Sequence, residues 1–332
     1  MNVEIKSEDF TPRRHTYSNV ARRYGEDRAA SRYDEGTYDL QATVNFHYRP
    51  LWAPEYEIFD TARTAVVMED WYSFTDPRQF YYATYNINRA NMNAAADRAF
   101  EFVEQRDMVA RIEPAWLDAV RHYLIPVRHY EWAADLNSLR ITDYGYGTRV
   151  TSAAMFAAAD RLGMAQLLTR IGLVIDGYDE TGLDRARNAW LESSDWQGVR
   201  RMAEDTLVVD DWFETFIAQY LAADGILQPL VYGVFDDAGL DRSATGVSMM
   251  CEFMVDWMKD NARWVDALVH VAAAESPANA EIISGWYRTW RDRAAEALDP
   301  LATTVLGDTG PSSVATIREV LDARASGLGL EV

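Results

Sequence analysis

Apolar residues recur at helical spacing along most of the chain beyond residue 76. The widest apolar face falls within residues 195–233 and is formed by Val209, Trp212, Phe213, Phe216, Ile217, Tyr220 and Leu221. A helix that is apolar over so much of its circumference must be covered by several neighbours. The pattern therefore predicts a long central helix in a helical bundle, with Asp195 as its N-cap.

Proline and glycine residues divide the rest of this region into further helices. Asp76 and Pro77 predict the start of a helix that ends near residue 106, and Pro126 predicts a kink in the next one. The remaining helices are predicted near residues 113–139, 152–175, 182–192, 247–273, 277–298 and 312–325, with a loop at 235–246 and a stop at Pro300. No segment from 77 to 330 alternates for long as a strand does, so the predicted fold is all-α.

Residues 1–60 differ from this pattern and are predicted to form an extended N-terminal arm, with the helical domain at 61–332. Arginine and tyrosine, which protein interfaces concentrate, alternate along the arm. The residues predicted to contact a partner chain are Arg13, Arg14, Tyr17, Arg22, Arg23, Tyr24, Tyr33 and Trp52. A disordered tail and a nucleic-acid-binding arm are weaker interpretations, because aromatic residues are frequent and acidic residues interrupt the basic run.

Charge and cysteine content narrow the possible functions. The 332 residues carry a net charge of −20, which disfavours binding to nucleic acids or to anionic membranes. Cys251 is the one cysteine, so neither a disulfide framework nor a thiolate metal cluster is expected. The N-terminal sequence has no signal-peptide pattern, and the apolar run at 164–175 is too short to span a bilayer. A soluble, cytoplasmic protein is expected.

Acidic residues on the helices raise the possibility of a carboxylate-bridged di-iron site. Such a site takes one Glu from each of two helices and a Glu-x-x-His pair from each of two others. None of the five histidines has an acidic residue three positions before it. The nearest matches are Glu131 with Ala134 in the histidine position, and Asp211 with Glu214 in that position. No catalytic residue and no metal ligand is therefore predicted.

Other interpretations of these acids remain open. Glu131 lies in an otherwise apolar stripe and is expected to pair with an arginine such as Arg128 or Arg170, because an unpaired buried charge is costly. Asp211 and Glu214 are expected to form a solvated or partner-facing surface. The alternative function is a self-sufficient helical oxidase that binds a metal through carboxylates alone.

Five long motifs give the sequence a family resemblance. They are RHTYSNVARRYGEDRAASRYDEGTYD, NFHYRPLW, MEDWYSFTDPRQFYY, EDTLVVDDWFETFIAQ and PLVYG. Together they resemble the β subunit of bacterial multicomponent phenol hydroxylases, which are soluble di-iron monooxygenases like the toluene and methane monooxygenases. The resemblance extends from about residue 4 to residue 300.

The resemblance implies a ferritin-like fold without a metal site, in which Ala134 and Glu214 occupy the two histidine positions. It also implies α and γ partner subunits in an (αβγ)2 hydroxylase, a regulatory protein and a reductase. The di-iron centre that activates O2 is expected in α, and FAD with a [2Fe–2S] cluster in the NADH-dependent reductase. The chain is thus expected to be a non-catalytic, cofactor-free structural subunit of an aromatic (phenol-type) monooxygenase.

Overall fold

The computed structural model describes residues 16–41 and 53–332. Within these ranges the chain is helical, with short 3-10 turns, two π segments and no strand, so the predicted all-α class is confirmed. None of the helices in these ranges combines the length and the apolar character that crossing a bilayer requires.

The described chain forms fourteen α-helices in sequence. They are α1 (Ser18–Tyr24), α2 (Arg32–Thr37), α3 (Tyr82–Gln105), α4 (Pro114–Tyr123), α5 (Val127–Tyr144), α6 (Thr148–Ile175), α7 (Thr181–Glu192), α8 (Gln197–Thr206), α9 (Trp212–Phe216), α10 (Asp224–Pro229), α11 (Asp236–Leu240), α12 (Thr245–Glu275), α13 (Pro277–Leu306) and α14 (Gly310–Gly327). Short 3-10 turns lie at Thr61–Arg63, Trp71–Ser73, Val109–Arg111 and Gly307–Thr309.

The helix predicted to be central is divided at residues 207–211, because α8 ends before them and α9 begins after them. The new start is fixed by Asp211, whose carboxylate accepts hydrogen bonds from the amides of Phe213 and Glu214. From α9 the helix then runs without a break to the end of α11, through π segments at Ile217–Ala223 and Leu230–Phe235. We call this stretch the central helix. The predicted Asp195 N-cap was wrong, because Trp196 holds the N-cap position of α8. The predicted loop at 235–246 was also wrong, since helical structure fills most of it.

Two other boundaries also differ from their predictions. Pro77 does not begin a helix, because the Asp76 carboxylate is held at 2.9 Å by the guanidinium of Arg78, and α3 starts only at Tyr82. Pro300 does not end α13, which continues to Leu306. An internal proline costs roughly 3 kcal/mol of helix stability. Packing of α13 against α8, α14 and the first π segment outweighs that cost.

The bundle encloses one large hydrophobic core. Its interior is bounded by α5, α6, the central helix and α12, while α3 packs on α12 and α13 packs on the central helix. Trp196, Trp212, Trp257 and Trp264 in this core have no exposed surface. Each buried aromatic side chain of this size removes roughly 150–250 Å² from water. These side chains therefore supply much of the free energy that holds the helices together.

The described part of the predicted arm lies on the helical body. Asp34 forms an ion pair with the buried Arg149 of α6 at 2.5 Å. The hydroxyl of Tyr33, itself buried, accepts a hydrogen bond from the Asp76 amide at 3.0 Å. Arg23 pairs with Asp70. The predicted boundary at residue 60 stays a prediction.

Candidate functional site

Three charged side chains meet in the interior of the bundle. Glu131 comes from α5, Arg161 from α6 and Asp224 from the first residue of α10, and their exposed fractions are 0%, 0% and 3%. Arg161 Nη1 donates to Glu131 Oε2 at 2.7 Å, and Arg161 Nη2 donates to Asp224 Oδ2. We call these residues the buried triad. One guanidinium thus bridges two carboxylates from two other helices.

Polar side chains complete the surroundings of Asp224. Its Oδ1 accepts from the Tyr130 hydroxyl at 2.7 Å and from Gln219 Nε2 at 3.0 Å. Gln219 is in turn held by Asn137, whose Nδ2 donates to Gln219 Oε1 at 2.9 Å. Hydrogen-bonded networks of this kind fix a unique arrangement in a low-dielectric interior. Asp224 therefore has both oxygens engaged and a defined orientation.

Two aromatic rings lie close to the guanidinium of the buried triad. The Arg161 Cζ atom is 4.5 Å from the centroid of Trp257 and 5.4 Å from that of Tyr220. Cation–π contacts of a desolvated guanidinium contribute about 2 kcal/mol each in favourable cases. The rings offset part of the cost of removing the charge from water.

Burial and charge have opposing effects on the pKa of each member of the triad, and all three pKa values are raised. Burial raises the pKa of Glu131 from its ordinary value of 4.5 to about 7, although Arg161 opposes the shift. Burial also raises the pKa of Asp224, again against Arg161. Burial alone would lower the pKa of Arg161. The negative charges of Asp224 and Glu131 raise it by more, so the pKa lies well above its ordinary value. The arginine stays charged, and the raised pKa of Glu131 places its titration near neutrality.

The donor atoms of this interior do not fit a di-iron centre. Such a centre needs six protein ligands, one Glu on each of two helices and a Glu-x-x-His pair on each of two more. Here α5 and α10 each supply one carboxylate. On α6, Arg161 and Met164 lie three residues apart, as Met258 and Asn261 do on α12, and neither pair contains a Glu or a His. No group of three or more metal-binding side chains is found in the parts of the chain described.

The residues at the predicted degenerate metal positions do not all lie at the buried triad. Ala134 is fully buried on α5, one turn after Glu131. Asp211 caps α9 and accepts from the Ala65 amide at 2.7 Å, and Glu214 accepts from Trp290 Nε1 at 2.9 Å. Asp211 and Asp224 are thirteen residues apart in one continuous helix, which corresponds to roughly 20 Å. Asp211 and Glu214 are therefore not brought together with Glu131.

Glu131 is a buried, paired acid as one interpretation expected, but its partner is Arg161. Arg128 contacts His129 at 3.4 Å, and Arg170 forms an ion pair with Asp97 at 2.6 Å. The sequence contained a signal for the missed partner. Arg161 interrupts an apolar stripe on α6 that includes Val150, Ala154, Ala157, Met164, Leu168 and Ile171. A charge at such a position indicates a buried partner on another helix.

The predicted interface residues of the arm have varied surroundings. Tyr17, Arg22 and Tyr24 are exposed, at 55% for Tyr17 and 40% for Tyr24. Arg23 and Tyr33 make the contacts within the chain described above. Arg13, Arg14 and Trp52 lie outside the described residues. Their role at an interface stays a prediction.

The long helices α5, α6 and α12 pack with the central helix around one buried polar site, an arrangement of the ferritin-like class. The chain belongs to the methane/phenol/alkene hydroxylase family, whose sequence model matches residues 52–276. The family match confirms the resemblance seen in the sequence motifs, and a similar solved structure confirms the ferritin-like class.

Similar proteins extend this finding to the whole chain. It is 44% identical to the phenol 2-monooxygenase oxygenase component DmpL of Pseudomonas sp. (strain CF600), over 100% of this chain and 99% of that protein. It is 25% identical to the β subunit of the toluene-4-monooxygenase hydroxylase component of Ectopseudomonas mendocina, over 72% and 74% of the two chains. The crystal structure of xenon-pressurized phenol hydroxylase from Pseudomonas sp. OX1 contains a chain with TM-score 0.93 and 40% identity, with 99% of each chain covered.

Proposed function

We propose that this chain is a non-catalytic β subunit of the hydroxylase component of an O2- and NADH-dependent aromatic monooxygenase of the phenol type. The observation that carries the proposal is the buried triad. A guanidinium with a permanent charge lies among the inward side chains, and only two carboxylates face it. Full-length similarity to a phenol 2-monooxygenase oxygenase component supports the class of the complex.

In this proposal the redox groups belong to other chains. An α subunit carries the di-iron centre that activates O2, and a reductase carries FAD and a [2Fe–2S] cluster. A γ subunit and a regulatory protein complete the system, with the hydroxylase as an (αβγ)2 assembly. The present chain packs against α and supports the assembly, in a cytoplasmic setting.

An exposed apolar face on α5 supports a scaffolding role. Trp132, Leu136 and Leu139 lie at positions i, i+4 and i+7, with exposed fractions of 53%, 38% and 40%. This spacing places them on one side of the helix. Neighbouring exposed apolar side chains on a surface mark sites of protein association more often than isolated ones do. We place part of the contact with α on this face, together with the predicted arm residues.

The alternative of a self-sufficient carboxylate oxidase has less support. It requires acids that converge on one point, but Asp211 and Glu214 are bound to Ala65 and Trp290, well away from Glu131. The two carboxylates that do converge are held by Arg161.

Iron content and size, measured together, test the proposal. The full-length chain is expressed alone and then with a candidate α subunit. We expect an iron-free chain alone and a large iron-containing complex on co-expression. About two iron atoms per isolated chain would contradict the scaffold role and support the oxidase. Failure to associate with any α subunit, in an iron-free chain, would also contradict the proposal.

A further inference from the structure

A cavity of about 290 Å³ lies between the central helix, α12 and α14, next to the buried triad. Residues that line it include Gly225, Gln228, Met258, Asn261, Ile317 and Leu321. Gly225 allows α14 to approach closely at this point, because a Cβ atom there would lie 2.7 Å from Leu321 Cδ1. The cavity is thus built by three helices that meet over a glycine.

The size and the walls of the cavity suit one small ring. Its walls are largely apolar, with Met258, Ala262, Ile317 and Leu321 among the lining side chains. An engineered apolar cavity of about 150 Å³ binds benzene in another protein. The space of about 290 Å³ therefore holds one aromatic ring with a substituent.

Two buried amides give the cavity a polar end. Gln228 and Asn261 both line it, and each is only 3% exposed. Asn261 Oδ1 accepts from Trp264 Nε1 at 2.5 Å. Asn261 Nδ2 and the Gln228 amide make no hydrogen bond to any residue described. Both side chains line the open space of the cavity, so a ligand that offers a hydroxyl there can bond to them.

The charges around the cavity favour a neutral ligand. Asp224 also lines it, but both of its oxygens are engaged by Tyr130, Gln219 and Arg161. Arg324 is the basic residue among those lining the cavity, and its Nε donates to Asp266 at 2.8 Å. An anionic ligand would meet a carboxylate and find its possible counter-ion already paired.

We propose that this cavity binds a small neutral aromatic alcohol such as a monocyclic phenol. The ring lies against Met258, Ile317 and Leu321, and the hydroxyl group bonds to the amides of Gln228 and Asn261. Occupancy rests on this cavity alone and does not depend on the scaffolding role proposed above.

Anomalous scattering from 4-bromophenol tests the location. Crystals of the full-length chain, with whatever subunits purify with it, are soaked in this compound. We expect a bromine peak among Gly225, Met258 and Leu321. Absence of a peak at a saturating concentration would refute the proposal, as would a partner side chain that fills the cavity.

Titration with 4-fluorophenol, followed by ¹⁹F NMR, tests the chemistry in solution. Gln228→Leu should weaken binding about 5- to 10-fold, because it removes one hydrogen bond. The same change should leave fluorobenzene binding within about two-fold. Equal effects on the two compounds would contradict a role for the amide.

Two cavity-filling variants on different helices distinguish a loss of binding from a loss of folding. Ala262→Leu and Thr316→Phe each add volume to the wall, and Thr316 lies on an exposed position of α14. Each variant should weaken 4-fluorophenol binding at least ten-fold while its thermal unfolding stays close to that of the wild type. Unchanged affinity in a folded variant would place the ligand elsewhere and refute the proposal.

Discussion

At the scale of single residues, Arg161 determines the character of the interior. It forms ion pairs with Glu131 and Asp224 and so links three helices, and it has no exposed surface itself. Replacing a whole buried ion cluster by apolar groups is often nearly neutral, whereas removing one member leaves an uncompensated charge. The effect of a mutation in the triad therefore depends on which partners remain.

Arg161→Met should destabilise the chain by about 3–5 kcal/mol, because two buried acids lose their cation. The free energy of unfolding is measured by urea titration. Arg170→Met is the matched control, since the ion pair of Arg170 with Asp97 is exposed and such pairs contribute about 0–1 kcal/mol. The combination of Arg161→Met with Glu131→Gln and Asp224→Asn should recover part of the loss. Equal effects of the two arginine substitutions would contradict this account.

Stability should also depend on pH through Glu131. Its pKa is raised to about 7, so the folded state binds more protons than the unfolded state between about pH 4.5 and pH 7. This acid therefore contributes most stability at low pH and loses it as the pH rises toward 7, by at most about 1.4 kcal/mol per pH unit.

The difference in unfolding free energy between wild type and Glu131→Gln isolates this contribution. We expect the unfolding free energy of the wild type to fall relative to that of the variant as the pH increases from 5 to 7, because glutamine does not titrate. Parallel profiles over this range would show that the Glu131 pKa is not raised.

At the scale of helices, the apolar periodicity of the sequence predicted most of the fold. The features that it did not predict depend on contacts between residues far apart in the sequence. The apolar stripes of α3, α5, α6, α12 and α13 are visible in the sequence, and each helix is present. The predicted helix start at Pro77 was wrong because the Asp76 carboxylate is bound by the guanidinium of Arg78. Arg161 was missed as the partner of Glu131, because only the packing of α5 on α6 brings together residues 30 positions apart.

The outer face of α5 provides a test of the proposed contact with α. Trp132→Glu should abolish or strongly weaken co-purification with α, because a charge would be buried in an apolar contact. Ile87→Glu on α3 is the control, since Ile87 is also apolar and 64% exposed. Pull-down yield and circular dichroism are measured for both. Normal co-purification of a folded Trp132→Glu protein would exclude this face from the interface.

The N-terminal arm is a separate element to test. Removal of residues 1–40 should weaken association with α, and the point variant Tyr33→Phe reports how much of the loss arises within the chain. Tyr33→Phe removes the hydrogen bond to the Asp76 amide, which corresponds to about 1 kcal/mol of stability. Unchanged co-purification and unchanged hydroxylase activity after truncation would contradict a partner-binding arm.

At the scale of the whole molecule, the helices around the triad have the ferritin-like arrangement that holds di-iron sites in other bundles. Arg161→Glu, Met164→His, Met258→Glu and Asn261→His, made together, would give two Glu-x-x-His pairs beside the existing Glu131 and Asp224. We expect this variant to bind about two Co²⁺ ions per chain, measured by visible absorption and calorimetry. Arg161→Glu alone is the control. Binding no stronger than that of the wild type would show that the frame has changed.

A guanidinium cannot be chelated or withdrawn, so in the proposed metal-free role the interior around Arg161 is held together without a supply of iron. Metal-bound bundles couple folding to metal availability and lose stability when the ion is withdrawn. If the proposed role holds, a cell that lacks iron would still accumulate folded copies of this chain. Because Arg161 is part of the polypeptide, assembly of the proposed complex could then start from a subunit that folds before any metal is supplied.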